Sequence, residues 1–241
     1  MAVAYFPPVE SADEQGLLAI GGDLEIDSLV LAYTQGIFPW PLGPQYPLAW
    51  FAPDPRGILR YKDLHISRSL SKELKRHAWC VRFNTCFAQV IHECAISPHR
   101  KGQNGTWITP AIIESYLNLH KAQMAFSTEV FLDGDLVGGL YGVGIGEFVA
   151  GESMFFRVPN ASKIALLATM DYLQQRQVHW MDTQMLTPVV KQLGGMEMTR
   201  SDYGKLLQQS FNKGIQRSIF HRDQHLLRTS QQNWQWPRLQ K

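Results

Sequence analysis

A carboxylate and a carboxamide close an otherwise apolar stretch in His179-Trp180-Met181-Asp182-Thr183-Gln184. An unpaired charge is costly to bury, so Asp182 must be ion-paired, hydrogen-bonded or placed at an opening. Residues two apart share a face of an extended chain, so Asp182 and Gln184 project together where a strand meets a loop. Such strand ends are favoured binding sites in proteins built of sheets and helices. The plainer account, a carboxylate satisfied by nearby turn amides, has a slight edge on spacing alone. Glu152, in Gly151-Glu152-Ser153-Met154-Phe155, is a second carboxylate with apolar flanks. Two readings of it stand level: a partner for a cationic substrate group such as an arginine or lysine side chain, or an internal salt bridge with Arg157 or Lys163.

Other motifs carry weaker signals. Gly138, Gly139, Gly142, Gly144 and Gly146 punctuate one apolar run. Their Gly-x-Gly-x-Gly spacing suggests phosphate binding only faintly, because more strand-like sequence follows and no helix start does. Glycine in a strand more often admits a neighbouring backbone or a ligand, so the run reads as packing and as the floor of a cleft. Tyr33, Phe38, Trp40, Trp50 and Phe51 crowd an irregular region, where a small aromatic core accounts for most of them. Trp107, in the polar Gly105-Thr106-Trp107-Ile108-Thr109, is the better candidate for stacking on a nucleobase. Arg68, Lys72, Lys75 and Arg76 fall within little more than two helical turns, and Arg100 and Lys101 share a loop. A solvated face is the ordinary reading of such clusters; a grip on a few phosphates is the functional one.

Composition bounds the classes. The 241 residues are 45% hydrophobic and 18% charged, enough apolar mass for a sizeable core, and the net charge of +2 excludes bulk basicity. No apolar run approaches the roughly 20 residues that span a bilayer, and residues 1–10 lack the basic and apolar regions of a secretory signal. Cys80, Cys86 and Cys94 contain no Cys-x-x-Cys pair, despite His92 nearby, so they read as reduced apolar residues with no metal. The P-loop, nucleophile-elbow and His-Glu-x-x-His motifs are absent, so nothing calls for a nucleoside triphosphate, a serine nucleophile or zinc. A soluble, cytoplasmic monomer without membrane association is the expectation.

The elements that must position these residues divide the chain at about residue 62. Residues 1–62 are rich in turns, with Gly21-Gly22-Asp23 and Pro53-Asp54-Pro55-Arg56-Gly57 as turn clusters and one short helix over 26–35 stopped by Gly36. Residues 63–241 are more regular. Ser67 or Ser69 caps a helix to about 76, with Leu70 and Leu74 on one face. A strand over 79–83 and a short helix over 86–94 follow, and Thr109-Pro110 opens a helix to about 121. Strands are predicted over 125–132, 136–145 and 148–157, the first two joined by an Asp133-Gly134 hairpin turn. Asn160 is placed to cap a helix over 161–175. A buried strand over 178–182, a helix opened by Thr187-Pro188 and closed at Gly194-Gly195, and a last helix over 203–211 begun by Ser201 or Asp202 complete the order. The tail from 214, rich in Gln and Arg, reads as peripheral, pinned by Trp234 and Trp236. This order predicts an α+β fold, a mixed sheet flanked by helices, with strand and helix succession as in acetyltransferase-like (GNAT) domains, a likeness that does not establish chemistry.

Taken together, these stretches resemble the bacterial leucyl/phenylalanyl-tRNA–protein transferases over roughly residues 16–211. The blocks include Gly16-Leu17-Leu18-Ala19-Ile20-Gly21-Gly22-Asp23-Leu24, Gly36-Ile37-Phe38-Pro39-Trp40, Pro53-Asp54-Pro55-Arg56 and His65-Ile66-Ser67-Arg68-Ser69. Gly105-Thr106-Trp107-Ile108-Thr109, Gly151-Glu152-Ser153-Met154-Phe155, Asn160-Ala161-Ser162-Lys163 and Asp182-x-Gln184 continue the match. The resemblance implies transfer of Leu or Phe, and less readily Met, from aminoacyl-tRNA to proteins with N-terminal Arg or Lys, marking them for N-end rule degradation. It implies a GNAT-like C-terminal domain that uses aminoacyl-tRNA as substrate and no cofactor. By motif it makes Asp182, Gln184 and Glu152 catalytic, and sets Trp40, Trp107, Tyr33 and Tyr116 at the 3′ end of the aminoacyl-tRNA. It places Leu140, Leu166, Thr169 and Met181 around the amino-acid side chain, and Arg68, Lys72, Lys75 and Arg76 on tRNA phosphates. Two rival readings are a CoA-dependent N-acyltransferase of the same fold, which needs a phosphate-cradling loop not found here, and a non-catalytic tRNA-binding module, which leaves Asp182 and Glu152 unexplained.

Overall fold

The computed structural model describes residues 2–43, 45–97, 106–212, 214–215 and 218–222. Arg100, Lys101, Gly105 and the tail tryptophans Trp234 and Trp236 lie outside the described residues. In chain order the elements are β1 (Leu17–Ile20), α1 (Ile26–Thr34), β2 (Phe38–Pro39), β3 (Ala49–Phe51), β4 (Arg56–Arg60), α2 (Arg68–Arg76), β5 (Cys80–Phe83) and α3 (Phe87–Ile96). They continue with α4 (Pro110–Lys121), β6 (Ala125–Leu132), β7 (Asp135–Ile145), β8 (Phe148–Phe156), α5 (Ala161–Gln174) and β9 (Trp180–Gln184). The order closes with α6 (Pro188–Gln192), β10 (Met196–Met198), α7 (Arg200–Ser210) and α8 (Ile219–Arg222).

A small antiparallel sheet, order β1-β3-β2, stands beside a seven-stranded mixed sheet, order β10-β4-β9-β8-β7-β6-β5. The predicted α+β class holds in that form. Every neighbouring pair in the large sheet is antiparallel except β8 and β9. Parallel neighbours need a crossover, which α5 supplies. Successive residues of β7 face opposite sides of the sheet. Leu140 joins a buried cluster with α5 and Leu70 of α2, while Tyr141 joins a second cluster with α1, α3, α4 and α7. The sheet is therefore covered on both faces.

The side-chain caps follow the predicted chemistry at α2, α4 and α6, where Ser67, Thr109 and Thr187 accept from the amides of Leu70, Ile112 and Val190. Three local expectations are corrected. Asn160 stands at the cap position in a left-handed conformation, φ 71°, but its side chain makes no cap bond. Thr199, and neither Ser201 nor Asp202, caps the last long helix by accepting from the Asp202 amide. The strand expected from Val178 begins at Trp180, because Gln177 turns left-handed (φ 61°) and the Val178 amide closes α5 onto the Leu173 carbonyl. Residues 56–60, inside the expected N-terminal range 1–62, form an inner strand of the large sheet between β10 and β9. The small sheet was not foreseen: strands of two to four residues are too short to display an alternation.

Candidate active site

β8 and β9 pair at one point, Ala150 with Asp182. Past it the two parallel strands make no further pairs, and a cavity of about 510 Å³ lies where they part. A cleft outside the carboxyl ends of parallel strands is a recurrent place for a ligand. Two bulges shape its walls. Tyr141 pairs with Ser153 and Gly142 with Gly151, so Glu152 is an extra residue in β8. Ile58 pairs with Asp182 and Gly57 with Gln184, so Thr183 is an extra residue in β9. A bulge re-aims the side chains beside it, and Gln184 follows with φ 55°.

The bulge overturns the expectation that Asp182 and Gln184 project together. Gln184 lines the cavity, as does Glu152; Asp182 does not, and has no exposed surface. The Asp182 carboxylate instead receives two parallel bonds from Arg56, Nε to Oδ1 at 3.0 Å and Nη2 to Oδ2 at 2.7 Å. Tyr203 donates its hydroxyl to Oδ2 at 2.7 Å, and the Gln184 amide donates to Oδ1 at 2.8 Å. The turn-amide reading thus describes one of four bonds. Arg56 is 1% exposed, gives Nη1 to the Gly36 carbonyl at 2.9 Å, and lies 4.9 Å and 4.7 Å from the ring centroids of Phe38 and Tyr203. Taking one partner from a buried pair of this kind costs about 3–5 kcal/mol, because the other charge is left uncompensated.

Glu152 has neither of the partners expected for it. Arg157 pairs with Glu93, and Lys163 donates to Gln192 at 3.4 Å. Glu152 Oε1 accepts from Gln184 Nε2 at 2.9 Å, and Oε2 from the Tyr116 hydroxyl at 3.4 Å, which in turn meets the Tyr33 hydroxyl. Loss of surrounding water pushes the Glu152 carboxyl up to about 8; hydrogen bonding from Tyr33 opposes the shift and the charge of Asp182 adds to it.

The aromatic residues separate into two kinds. Trp40 and Trp107 both line the cavity and stack on each other, centroids 5.2 Å apart with 21° between planes. Tyr33 and Tyr116 are wholly buried beneath Glu152 and present no face to a ligand in this conformation. Leu140, Leu166 and Met181 line the cavity, whereas Thr169 is not among its lining residues. Its hydroxyl is bonded to Thr128 and to the Ala165 carbonyl, each at 2.8 Å. Of the glycine-rich run only Leu140 reaches the cavity; the glycines themselves serve packing, since a Cβ on Gly142 would lie 2.2 Å from the Ala150 carbonyl oxygen. Arg68, Lys72, Lys75 and Arg76 are exposed on α2 and are not part of the cavity lining. A larger groove of about 780 Å³ between β4, α7 and the end of α5 contains none of the expected site residues. Among the described residues no group of three or more His, Cys, Asp or Glu is placed to hold a metal, and no helix is long and apolar enough to cross a membrane.

Arg56 and Tyr203 are the functional-site residues that sequence reasoning missed. Arg56 carries a signal like that of Asp182, a charge beside an apolar run, Gly57-Ile58-Leu59, but nothing local matches the one to the other. Tyr203 has no such local sign.

Residues 58–208 match the family model described as leucyl/phenylalanyl-tRNA protein transferase, and residues 22–54 match the model of that family's N-terminal domain. A Flavobacterium johnsoniae protein named leucyl/phenylalanyl-tRNA–protein transferase is 45% identical over 203 residues, 84% of this chain and 95% of its own. Proteins of the same name from Nitrosomonas eutropha and Azoarcus sp. are 44% and 47% identical, covering 90% and 82% of this chain and 93% and 84% of theirs. Among solved structures, L-PGS from Bacillus licheniformis aligns over 68% of this chain and 51% of its own with a TM-score of 0.38 and 15% identity, too slight a likeness to classify the fold.

Proposed function

This chain belongs to the leucyl/phenylalanyl-tRNA–protein transferase family, and on that premise we propose that it is an aminoacyltransferase moving Leu or Phe, less readily Met, from aminoacyl-tRNA to the N-terminal Arg or Lys of acceptor proteins. A peptide bond forms, and the extended protein is marked for N-end rule degradation. The observation that carries the site assignment is one cavity lined by Gln184, Glu152, Trp40 and Trp107 together with Leu140, Leu166 and Met181. Trp40 and Trp107 offer indole faces to the terminal adenosine. The three apolar residues offer a place for the side chain of the transferred amino acid.

The reaction needs little base strength. The donor is an ester, and the acceptor α-amine, with a reference pKa of about 7.7–8.0, is partly neutral near pH 7. The amine nitrogen adds to the ester carbonyl carbon, the bond to the ribose oxygen breaks, and the proton the amine gives up balances that oxygen's charge. Holding the two reactants together supplies several kcal/mol of the barrier reduction. Glu152 Oε1 accepts from the NH₂ of Gln184 and so turns the carboxamide in that direction. The Gln184 carbonyl oxygen is then left to orient the attacking amine. The dipole of that carbonyl meets the nitrogen as it becomes ammonium-like. Asp182 acts on Gln184 through the backbone amide it accepts from. Glu152, on the cavity wall, is the carboxylate placed to meet the acceptor's Arg or Lys side chain, whose positive charge favours its ionised form. Tyr33 and Tyr116 support Glu152 from below, and Arg68, Lys72, Lys75 and Arg76 hold tRNA phosphates.

The acetyltransferase-like (GNAT) classification of the larger unit belongs to the same proposal, supported by the parting of β8 and β9 and the bulge at Glu152. So does a two-part chain, with the boundary near the Pro53-Asp54-Pro55 turn; the gap between the two family matches and the placing of β4 in the large sheet support that position over residue 62. The protein acts in the cytoplasm as a monomer and needs no cofactor beyond its tRNA-linked substrate. The test is to incubate it with labelled Leu-tRNA or Phe-tRNA and a peptide beginning with Arg. The extended peptide is expected, with loss of transfer in Gln184→Ala. Binding of tRNA without extension would leave only an RNA-binding module.

A further inference from the structure

We infer that Arg56 and Tyr203 are positioning residues for the transfer reaction, acting on Gln184 through Asp182. The inference rests on the proposed role of Gln184 and deepens it. Gln184 stands just past a bulge with φ 55°, in the left-handed region that a residue other than glycine seldom adopts without support. Its amide is held by Asp182 Oδ1, and Asp182 has no exposed surface and no contact with the cavity. The orientation of that carboxylate is set from the far side. Arg56 grips both oxygens in a fork, which fixes the plane of the carboxylate and not only its distance. Tyr203 adds a third point at Oδ2.

The clamp is itself anchored. The third guanidinium nitrogen of Arg56 ends on the Gly36 carbonyl, and Phe38 and Tyr203 flank the guanidinium. Tyr203 rides on α7, whose first residue is tied to the turn before β4: the Arg200 amide donates to Asp54 Oδ1 at 3.0 Å, and Arg200 Nη2 to the Ala52 carbonyl at 2.9 Å. Gly36 has φ 77°, and a Cβ there would lie 2.7 Å from Tyr203 Cε1. The tyrosine ring therefore has its place only beside a glycine. Neither Arg56 nor Tyr203 lines the cavity, so neither touches substrate. Their effect reaches the reaction only through the pose of Gln184.

Tyr203→Phe carries the test, because it removes one hydroxyl and leaves the ion pair and the ring packing in place. Steady-state transfer kinetics, with thermal melting alongside, are expected to show kcat lowered about tenfold. The KM for aminoacyl-tRNA stays within about twofold, since the tRNA contacts lie elsewhere. Arg56→Lys keeps the charge, but one ammonium cannot serve both carboxylate oxygens and the Gly36 carbonyl, so kcat falls there as well. The deciding measurement is the double variant: in a Gln184→Ala background, Tyr203→Phe is expected to cause no further loss, since the group it positions is gone. Wild-type kcat in Tyr203→Phe with Gln184→Ala impaired overturns this inference alone. The full additional loss in the double variant also overturns it, by giving Tyr203 a structural role independent of Gln184. Wild-type turnover in Gln184→Ala overturns both the inference and the site assignment beneath it.

Discussion

Glu152 is a carboxylate with little water around it, three hydroxyl or amide groups nearby and the Asp182 charge behind. Its folded-state value of about 8 stands above the 4.5 of an ordinary glutamate. The folded protein therefore keeps this proton to higher pH than the unfolded chain, and stability falls as pH rises from about 4.5 toward 8. Glu152→Gln removes that loss. Calorimetric melting should show the variant gaining on the wild type as pH rises from 5 to 8; a constant difference would mean that the carboxyl titrates normally. Comparing the two proteins cancels the contribution of Glu129, a second buried carboxyl, which burial pushes up to about 7. The cavity wall gives a second prediction. Leu166→Trp takes up space in the cavity that Leu166 lines with Leu140 and Met181, so kcat/KM should fall more for Phe-tRNA than for Met-tRNA. Equal losses would place the side-chain pocket elsewhere. At this scale the sequence marked Asp182, Gln184 and Glu152, because charge in an apolar strand is conspicuous whatever its surroundings. Their partners were hidden: Arg56 and Asp182 are 126 positions apart, and no local pattern announces so distant a pair.

Elements with many turns of helix or a two-residue hairpin were readable, since each repeats its period often enough to be seen. α4 begins at Pro110 after Thr109, and β6 and β7 flank Asp133-Gly134, as expected. The bulges at Glu152 and Thr183 were not readable, because one extra residue leaves composition and alternation almost unchanged. Yet they decide which side chains enter the cavity. The glycines of β7 show the same coupling of element to packing. At Gly138 a Cβ would come within 2.5 Å of the Ala161 Cβ at the start of α5. Gly138→Ala should push helix and sheet apart and cost about 1–3 kcal/mol. Chemical denaturation with an unchanged slope and a lower midpoint would register this; an unchanged midpoint would mean that α5 yields freely.

For the whole molecule, charge and shape are arranged separately. The net charge is only +2, while α2 displays Arg68, Lys72, Lys75 and Arg76 to solvent. If these residues meet phosphates, replacing Lys72 and Lys75 with Ala should raise the KM for aminoacyl-tRNA. It should also flatten the dependence of log K on log salt by about 0.7–0.9 for each phosphate no longer neutralised. Unchanged salt dependence would return α2 to the role of a solvated face. Of the two-sheet layout only β5 to β9 of the larger sheet were legible; β4 was hidden in a turn-rich stretch, and β10 and the strands of the smaller sheet are too short to carry a period. The Arg56–Asp182–Tyr203 clamp spans that layout, and its members are made at widely spaced times during translation. Asp182 leaves the ribosome long after Arg56 and 21 residues before Tyr203. A nascent chain stopped short of α7 has a glutamine whose support is still incomplete. If the clamp positions Gln184 as inferred, a protein made amid the charged tRNAs it consumes reaches full transfer activity only once α7 has joined it.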